Sequence, residues 1–332
     1  MRSRLCLANA HKMRYHNCMG LQFLLWLQDI RMQYGAAVEN LLAVISDTAP
    51  FFVALMCLLY VMVDKKKFCH VLFCYSICVT INAFVKITAC VYRPWIKEPK
   101  IVPAKNSLAA ATGYSFPSGH SAAVSSCSME IINQYKQNKL LAVLLILYIC
   151  VVVFTRMFLG CHTPQDVLAA VLEGFLAVLA TAALMAFVEK KEGNDKILFI
   201  AANILFAILI VYALIKPYPI DRDAAGEILV SPKKMQNDAM FDFSFALGFV
   251  HAWFLEKRFV KFSTDGISAR QRILRGVVEA LFGLAINFVI YSIAKQYVDK
   301  RLAKFIKGYL YSFAAAYLAP LVFSKIERAL KW

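Results

Sequence analysis

Charged residues are scarce in this chain of 332 residues, and extended polar stretches are missing. Charged residues make up 17% of the sequence, against about 25% in a typical soluble domain, whereas hydrophobic residues reach 60%. The sequence shows no internal repeats or low-complexity segments, and its composition excludes fibrous proteins and small disulfide scaffolds. Disordered chains are excluded too, because their hydrophobicity is low. The length alone would predict about two soluble domains, but the composition indicates a polytopic membrane protein.

Acidic residues are also few, with 21 Asp and Glu against 37 Lys and Arg, which gives a net charge of +16. Nucleic-acid binding would require the basic residues on one face or in a recognisable motif. They instead form short clusters between hydrophobic segments, as in loops that contact anionic headgroups. The 10 cysteines show no zinc or redox spacing, and most lie inside hydrophobic segments. We therefore expect membrane lipids as partners, and no nucleic acid.

Long hydrophobic segments dominate the sequence. A bilayer core of about 30 Å requires roughly 20 mostly apolar residues per helix. About nine transmembrane helices are predicted on this basis, near residues 42–63, 68–91, 121–135, 140–159, 165–188, 197–215, 241–255, 273–294 and 305–323. Residues 21–34 mix Leu, Phe and Trp with Gln, Asp and Arg, which is typical of an amphipathic helix at the membrane interface. The predicted fold class is an all-α polytopic membrane bundle.

The predicted organisation has three parts: an N-terminal tail with the interfacial helix (1–41), a core (42–188) and additional C-terminal transmembrane helices (189–332). Loops on one side of the predicted bundle carry roughly 17 Lys and Arg, and the opposite loops carry roughly 12. The positive-inside rule then places the more basic side in the cytoplasm. The segments around 93–120 and His162 face outward, which predicts a site on the extracytoplasmic side of a cell membrane.

A basic pair ends the second predicted helix. Lys86 and Arg93 are seven residues apart, so they would project from the same face of one helix that ends at Pro94. Such a pair suits a phosphate, because Lys acts as a point charge and Arg as a planar fork. The alternative is a snorkelling Lys and an interfacial Arg without a ligand.

A second short segment, Pro117-Ser118-Gly119-His120, precedes a hydrophobic helix. Ser118 fits the N-cap position, and Gly119 permits a close approach of another group to the backbone. The free N–H groups of a helix N-terminus bind anions readily. The alternative here is an ordinary capped helix.

The third segment contains Arg156, His162 and Asp166. Thr163 would be the N-cap, Pro164 the first helical residue and Asp166 the third, so Asp166 has a structural interpretation as a capping-box acid. In the functional interpretation, Asp166 holds one ring nitrogen of His162 and leaves the other as a nucleophile. At one membrane face, the side chains of the three segments are suited to phosphoryl transfer, which depends on charge stabilisation and positioning.

On these motifs the sequence resembles the superfamily of type-2 phosphatidic acid phosphatases and vanadium haloperoxidases. The family signature has the forms KxxxxxxRP, PSGH and SRxxxxxHxxxD, and the matching residues are Lys86, Arg93, Pro94, Pro117, Ser118, Gly119, His120, Arg156, His162 and Asp166. Thr155 stands where the family usually has Ser, and it retains the hydroxyl. The resemblance implies a phosphatase core over residues 42–188.

The resemblance also implies roles for individual residues. His162 would be the nucleophile, Asp166 would orient it, and His120 would be the general acid for the leaving group. The implied phosphate-binding residues are Lys86, Arg93, Ser118, Gly119 and Arg156. Neither a metal nor another cofactor is expected.

The substrate is left open by the sequence, between a phosphate-bearing lipid and a small phosphate ester. A lipid phosphate monoester is the first choice, because a site at the bilayer edge meets lipids directly. A polyprenyl pyrophosphate such as undecaprenyl pyrophosphate, or a hexose phosphate, is the alternative. The nine-helix layout resembles glucose-6-phosphatase, but Asp166 stands where that branch has an amide. A non-catalytic scaffold or transporter is the remote alternative.

Overall fold

In a computed structural model, which describes residues 19–332, nearly all regular structure is helical. A single isolated bridge joins Arg222 to Ile228. In chain order the α-helices are α1 (Met19–Ser46), α2 (Thr48–Met62), α3 (Lys65–Ala89), α4 (Pro94–Lys97), α5 (Gly119–Gln134), α6 (Lys139–Phe158), α7 (Pro164–Lys190), α8 (Asn194–Ile215), α9 (Pro232–Leu255), α10 (Ala269–Leu284), α11 (Tyr291–Tyr297), α12 (Lys300–Phe313) and α13 (Ala319–Ala329). The predicted tail up to residue 18 lies outside the described residues.

The all-α membrane bundle predicted from the sequence is confirmed. Within residues 19–332, 7 helical stretches are long and apolar enough to cross a membrane. These stretches are Met19–Met62, Lys65–Lys97, Lys139–Phe158, Pro164–Lys190, Asn194–Ile215, Ala269–Tyr297 and Lys300–Ala329. The remaining two predicted spans correspond to α5 and α9, which are shorter or more polar. Both are flanked by other helices, so they do not need a hydrophobic side facing lipid.

Helix α5 lies at the centre of the core and contacts α2, α3, α6 and α7. Small side chains allow this close packing, as is common between membrane helices. At Gly174 of α7, a Cβ atom would lie 2.8 Å from Ser125 Cβ and 2.9 Å from the Ser126 nitrogen. The core therefore brings the N-termini of α5 and α7 to the same end of the bundle.

Helix α1 packs against the protein along the hydrophobic side that we assigned to the membrane interface. Its residues Leu21, Leu24 and Leu27 are buried in one cluster with Ile101 and Phe158. The helix bends at Gly35, where φ is +74°. Only glycine adopts this conformation without a steric penalty. The hydrophobic side of this segment is thus satisfied by the chain itself, and the interfacial position stays a prediction.

The C-terminal helices pack directly on the core, since α9 contacts α3 and α10 contacts α2. The tightest helix crossing joins α9 to α12 at two glycines. A Cβ atom on Gly308 would overlap the Phe241 carbonyl oxygen and Ser244 Oγ, and one on Gly248 would overlap the Tyr309 carbonyl oxygen. Glycine at these positions lets the two backbones approach each other.

The close contact between α9 and α12 predicts that a larger residue at Gly308 destabilises the protein. Gly308→Ala should lower the free energy of unfolding by about 1–3 kcal/mol through overpacking. Gly283→Ala is the matched control, because a Cβ there would meet only Tyr311 Cε2 at 3.8 Å. Thermal unfolding in detergent measures both variants. Equal melting temperatures for the two would contradict the tight crossing.

Candidate active site

The first motif is not part of one continuous helix, so the prediction that Lys86 and Arg93 share a helix face is wrong. Helix α3 ends at Ala89, and Cys90 adopts the left-handed conformation with φ +49°. Pro94 disfavours helical geometry at the preceding residue, and Arg93 is extended. Lys86 therefore stays on α3, while Arg93 turns inward from the following loop.

Arg93 is held by loop carbonyl groups and lies beside His162. Its Nη1 donates to the Cys161 carbonyl at 2.9 Å, and its Nε donates to the Gly113 carbonyl at 3.1 Å. The same Nη1 lies 2.8 Å from His162 Nε2. Because a guanidinium can only donate, Nε2 accepts, and the ring proton of His162 lies on Nδ1.

The other side of the His162 ring faces Asp166. Nδ1 lies 3.6 Å from Asp166 Oδ2, and that oxygen also accepts the Thr163 backbone N–H at 2.8 Å. The predicted capping box at Thr163 and Asp166 is confirmed. A single oxygen thus caps helix α7 and faces the histidine, so the structural and functional interpretations of Asp166 are compatible.

Ser115 and Ser46 join this network, and sequence reasoning missed both. Ser115 Oγ donates to Asp166 Oδ2 at 2.5 Å and lies 3.4 Å from His162 Nδ1. Ser46 Oγ accepts from Arg156 Nη1 at 2.7 Å. Neither serine has a spacing or composition signal, because both reach the site only through tertiary packing.

Arg156 is completely buried, with 0% of its surface exposed. Apart from Ser46, its guanidinium is unsatisfied: Nε and Nη2 have no hydrogen-bond partner among the described residues. The positive charge of Arg156 opposes protonation of the His120 and His162 rings. A buried charge without partners is costly, so this guanidinium is suited to bind an anion.

Within residues 19–332, no group of three or more His, Cys, Asp or Glu side chains is arranged to hold a metal ion.

The second motif begins α5 as predicted. Ser118 is the N-cap residue, and its Oγ accepts from the Ser121 backbone N–H at 3.4 Å. The Ser118 N–H donates to the Asp166 carbonyl at 3.0 Å, which joins the second and third motifs. A Cβ on Gly119 would lie 3.6 Å from Lys86 Nζ. The ammonium group therefore lies directly against the N-terminal turn of α5.

His120 follows on the same turn, with 17% of its side chain exposed. Its Nε2 lies 4.0 Å from Oδ1 of Asp47, at the junction of α1 and α2. His120 and Lys86 both line a large cavity, so the two face the same space. The structure thus brings the predicted residues of all three motifs to one end of the bundle.

Burial and the neighbouring Arg93 guanidinium lower the pKa of His162 well below its ordinary value, against the opposing effect of Asp166. A histidine with a lowered pKa remains neutral at pH 7 and gains a proton only as the pH falls. The neutral ring keeps a lone pair on Nε2. This is the protonation state that nucleophilic attack requires.

The cavity beyond His120 has a volume of about 960 Å³ and is mostly hydrophobic. Helices α2, α3 and α5 form one side of it, and α9, α10, α12 and the chain between α10 and α12 form the other. Three of its lining residues, Phe51, Leu284 and Phe288, are strongly exposed on the outside of the bundle. The cavity therefore opens sideways between α2 and α10.

Comparisons with known families agree with these motifs. A family model described as the PAP2 superfamily matches residues 67–191. A second, described as PAP2 superfamily phosphatase, transmembrane extension, matches residues 243–331. Searches of curated proteins and of solved structures gave no match. The two family matches together cover more than half of the chain, and they confirm the superfamily resemblance. This chain belongs to the PAP2 superfamily and is an integral membrane phosphatase of that family.

Proposed function

We propose that this phosphatase hydrolyses a lipid phosphate monoester through a phospho-histidine intermediate on His162. The observation that carries the proposal is the buried Arg156 guanidinium, whose Nε and Nη2 lack partners among the described residues. The ester phosphate would accept hydrogen bonds from these two groups. A fork of parallel N–H donors matches two oxygens of a phosphate.

In the first step, Arg93 Nη1 transfers its hydrogen bond from Nε2 of His162 to a phosphate oxygen, which frees the Nε2 lone pair. Nε2 then attacks phosphorus, and the bond from phosphorus to the ester oxygen breaks. Nδ1 keeps its proton, and the Asp166 carboxylate stabilises the positive charge that develops on the ring. His120, on the first turn of α5, would take up a proton when the phosphate dianion binds beside it, and would donate that proton to the leaving alkoxide. The products of this step are the free alcohol and a phosphoryl group on His162.

In the second step, His120 would take a proton from water, which attacks the phosphoryl group and releases inorganic phosphate. The bond from phosphorus to Nε2 breaks, and His162 returns to its neutral form. Lys86, Arg93 and Arg156 would stabilise the phosphoryl oxygens in both steps, together with Ser118 and the backbone of Gly119. Positioning and charge stabilisation of this kind dominate phosphoryl transfer.

The lateral opening supports a lipid as the substrate. Phe51 on α2 and Phe288 beyond α10 expose hydrophobic surface at its edge, where a hydrocarbon chain would enter from the bilayer. Lys86 and His120 line the same cavity, so a lipid that enters sideways would bring its phosphate to them. The predicted extracytoplasmic position of the site in a cell membrane is part of this proposal.

The activity is tested by phosphate release from detergent-purified protein with EDTA present. The substrates are phosphatidate, sphingosine phosphate, a polyprenyl pyrophosphate and glucose 6-phosphate. We expect release from a lipid monophosphate, and none from the His162→Ala variant, which lacks the nucleophile. Release from the sugar alone or from the pyrophosphate alone would contradict the proposed substrate. No release at all would favour a non-catalytic role, and normal release by His162→Ala would contradict the intermediate.

Arg156→Lys tests the phosphate fork. We expect kcat to fall about 100-fold or more, because a single ammonium cannot replace two parallel donors. Arg258→Lys is the matched control, because Arg258 pairs with Asp195 at the opposite end of the bundle. We expect this variant to keep the wild-type kcat. An equal kcat in the two variants would show that the fork is dispensable.

Ser115→Ala tests whether Asp166 acts through His162. This variant keeps the capping box and removes only the hydroxyl that holds Oδ2. We expect turnover to drop about 10- to 100-fold, as for the loss of a hydrogen bond to a charged group, with little change in thermal stability. Ser125→Ala is the control, because Ser125 Oγ is buried without a partner among the described residues. Equal activity of the two variants would refute the positioning role.

A further inference from the structure

The C-terminal extension (residues 243–331) forms the far wall of the cavity that begins at His120. We propose that α9, α10 and α12 complete the active site as a closed-ended pocket for the hydrocarbon chain, whose depth sets the preferred chain length. This proposal rests on the proposed hydrolysis of a lipid phosphate. It assigns the extension a role in substrate selection, beyond packing on the core.

The direction and depth of the pocket follow from helix α3. Tyr75, Val79, Asn82 and Lys86 all line the cavity and recur at the spacing of a single helix face. Tyr75 and Lys86 are eleven residues apart, which corresponds to about 16 Å along the helix axis. The pocket thus runs from the phosphate-binding end down into the hydrophobic part of the bundle.

Aromatic rings from both halves of the polypeptide line the deep end of the pocket. Phe245 of α9 packs edge-on against Tyr75 with ring centroids 5.2 Å apart, and it lies 6.3 Å from the ring of Tyr311 on α12. All three residues line the cavity. Two of the three floor residues therefore come from the extension.

The Glu279 side chain places a polar group near these aromatic rings, which limits how far a hydrocarbon chain can extend. It lines the cavity, is only 6% exposed, and its Oε2 has no hydrogen-bond partner among the described residues. Hydrocarbon packed against an unsatisfied carboxyl group gains little, because a hydrocarbon cannot supply the missing hydrogen bond. A chain that reached past this point would be disfavoured.

Small residues on α10 leave room for the hydrocarbon chain of the substrate. Ala280 and Gly283 lie one helical turn apart and both line the cavity. At Gly283 a Cβ would be in ordinary contact with Tyr311 Cε2 at 3.8 Å, so larger side chains would project into the pocket. Directly after α10 the chain forms a π-helical turn, Ala285–Ile290, which widens the helix on this side.

The depth of the cavity fits a saturated chain of medium length. A C–C bond of about 1.5 Å advances an extended chain by roughly 1.25 Å, so 16 Å corresponds to about 12 or 13 carbons. A polyprenyl chain exceeds this depth several-fold. We therefore expect a lipid phosphate with chains of medium length to be preferred over a polyprenyl phosphate.

A chain-length series tests the pocket. The measurement is kcat/KM for linear alkyl phosphates of 4 to 18 carbons, divided in each variant by kcat/KM for phenyl phosphate. In the wild type we expect this ratio to rise with chain length and to stop rising near about 12 carbons. Ala280→Phe and Gly283→Leu should move that limit to shorter chains and lower the ratio for the long chains about 10- to 100-fold.

Val277→Phe is the matched control, because Val277 lies on the exposed outer face of α10 and does not line the cavity. The proposal predicts a wild-type profile in Val277→Phe. A ratio independent of chain length in the wild type, or equal shifts in Val277→Phe and Ala280→Phe, would overturn the pocket while leaving the phosphatase proposal standing. Preference for the polyprenyl chain would overturn it too. A wild type inactive on every ester would instead refute the proposed function.

Discussion

The structure depends on holding positive charge in a buried site without neutralising it. Arg93 is anchored by loop carbonyls and Arg156 by a serine hydroxyl, and within residues 19–332 no carboxylate is hydrogen-bonded to either guanidinium. Such an arrangement is unfavourable for the empty protein and favourable for a bound anion. The neighbouring acid Asp166 directs Oδ2 to His162, Thr163 and Ser115. The charge on the two guanidinium groups thus remains available to a phosphate.

The N-termini of two helices position the groups of the cationic site. The N-termini of α5 and α7 meet where the Ser118 N–H binds the Asp166 carbonyl, and Lys86 approaches the same turn of α5. Partial positive charge at helix N-termini adds to the side-chain charges. The extension then lies beside this site and lines a hydrophobic cavity that reaches Lys86 and His120.

The sequence was sufficient to predict the helical bundle, the three motifs and the capping box at α7, because each depends on local pattern. It was insufficient for Ser115 and Ser46, whose hydroxyls reach the site across 51 and 110 residues of chain. It also misplaced the end of α3, since a left-handed residue at Cys90 is not signalled by glycine or asparagine. The shape of the cavity depends on contacts between the core and the extension, which no spacing along the chain reveals.

Trapping the covalent intermediate tests the central claim most directly. An aryl phosphate has a leaving group that departs without protonation, so His120→Ala should still form the phospho-enzyme but should hydrolyse it slowly. We predict a burst of one aryl alcohol per protein, with mass spectrometry locating the phosphoryl group on His162. An active wild type whose His120→Ala variant gives no burst, or carries the phosphoryl group on another residue, would contradict the account.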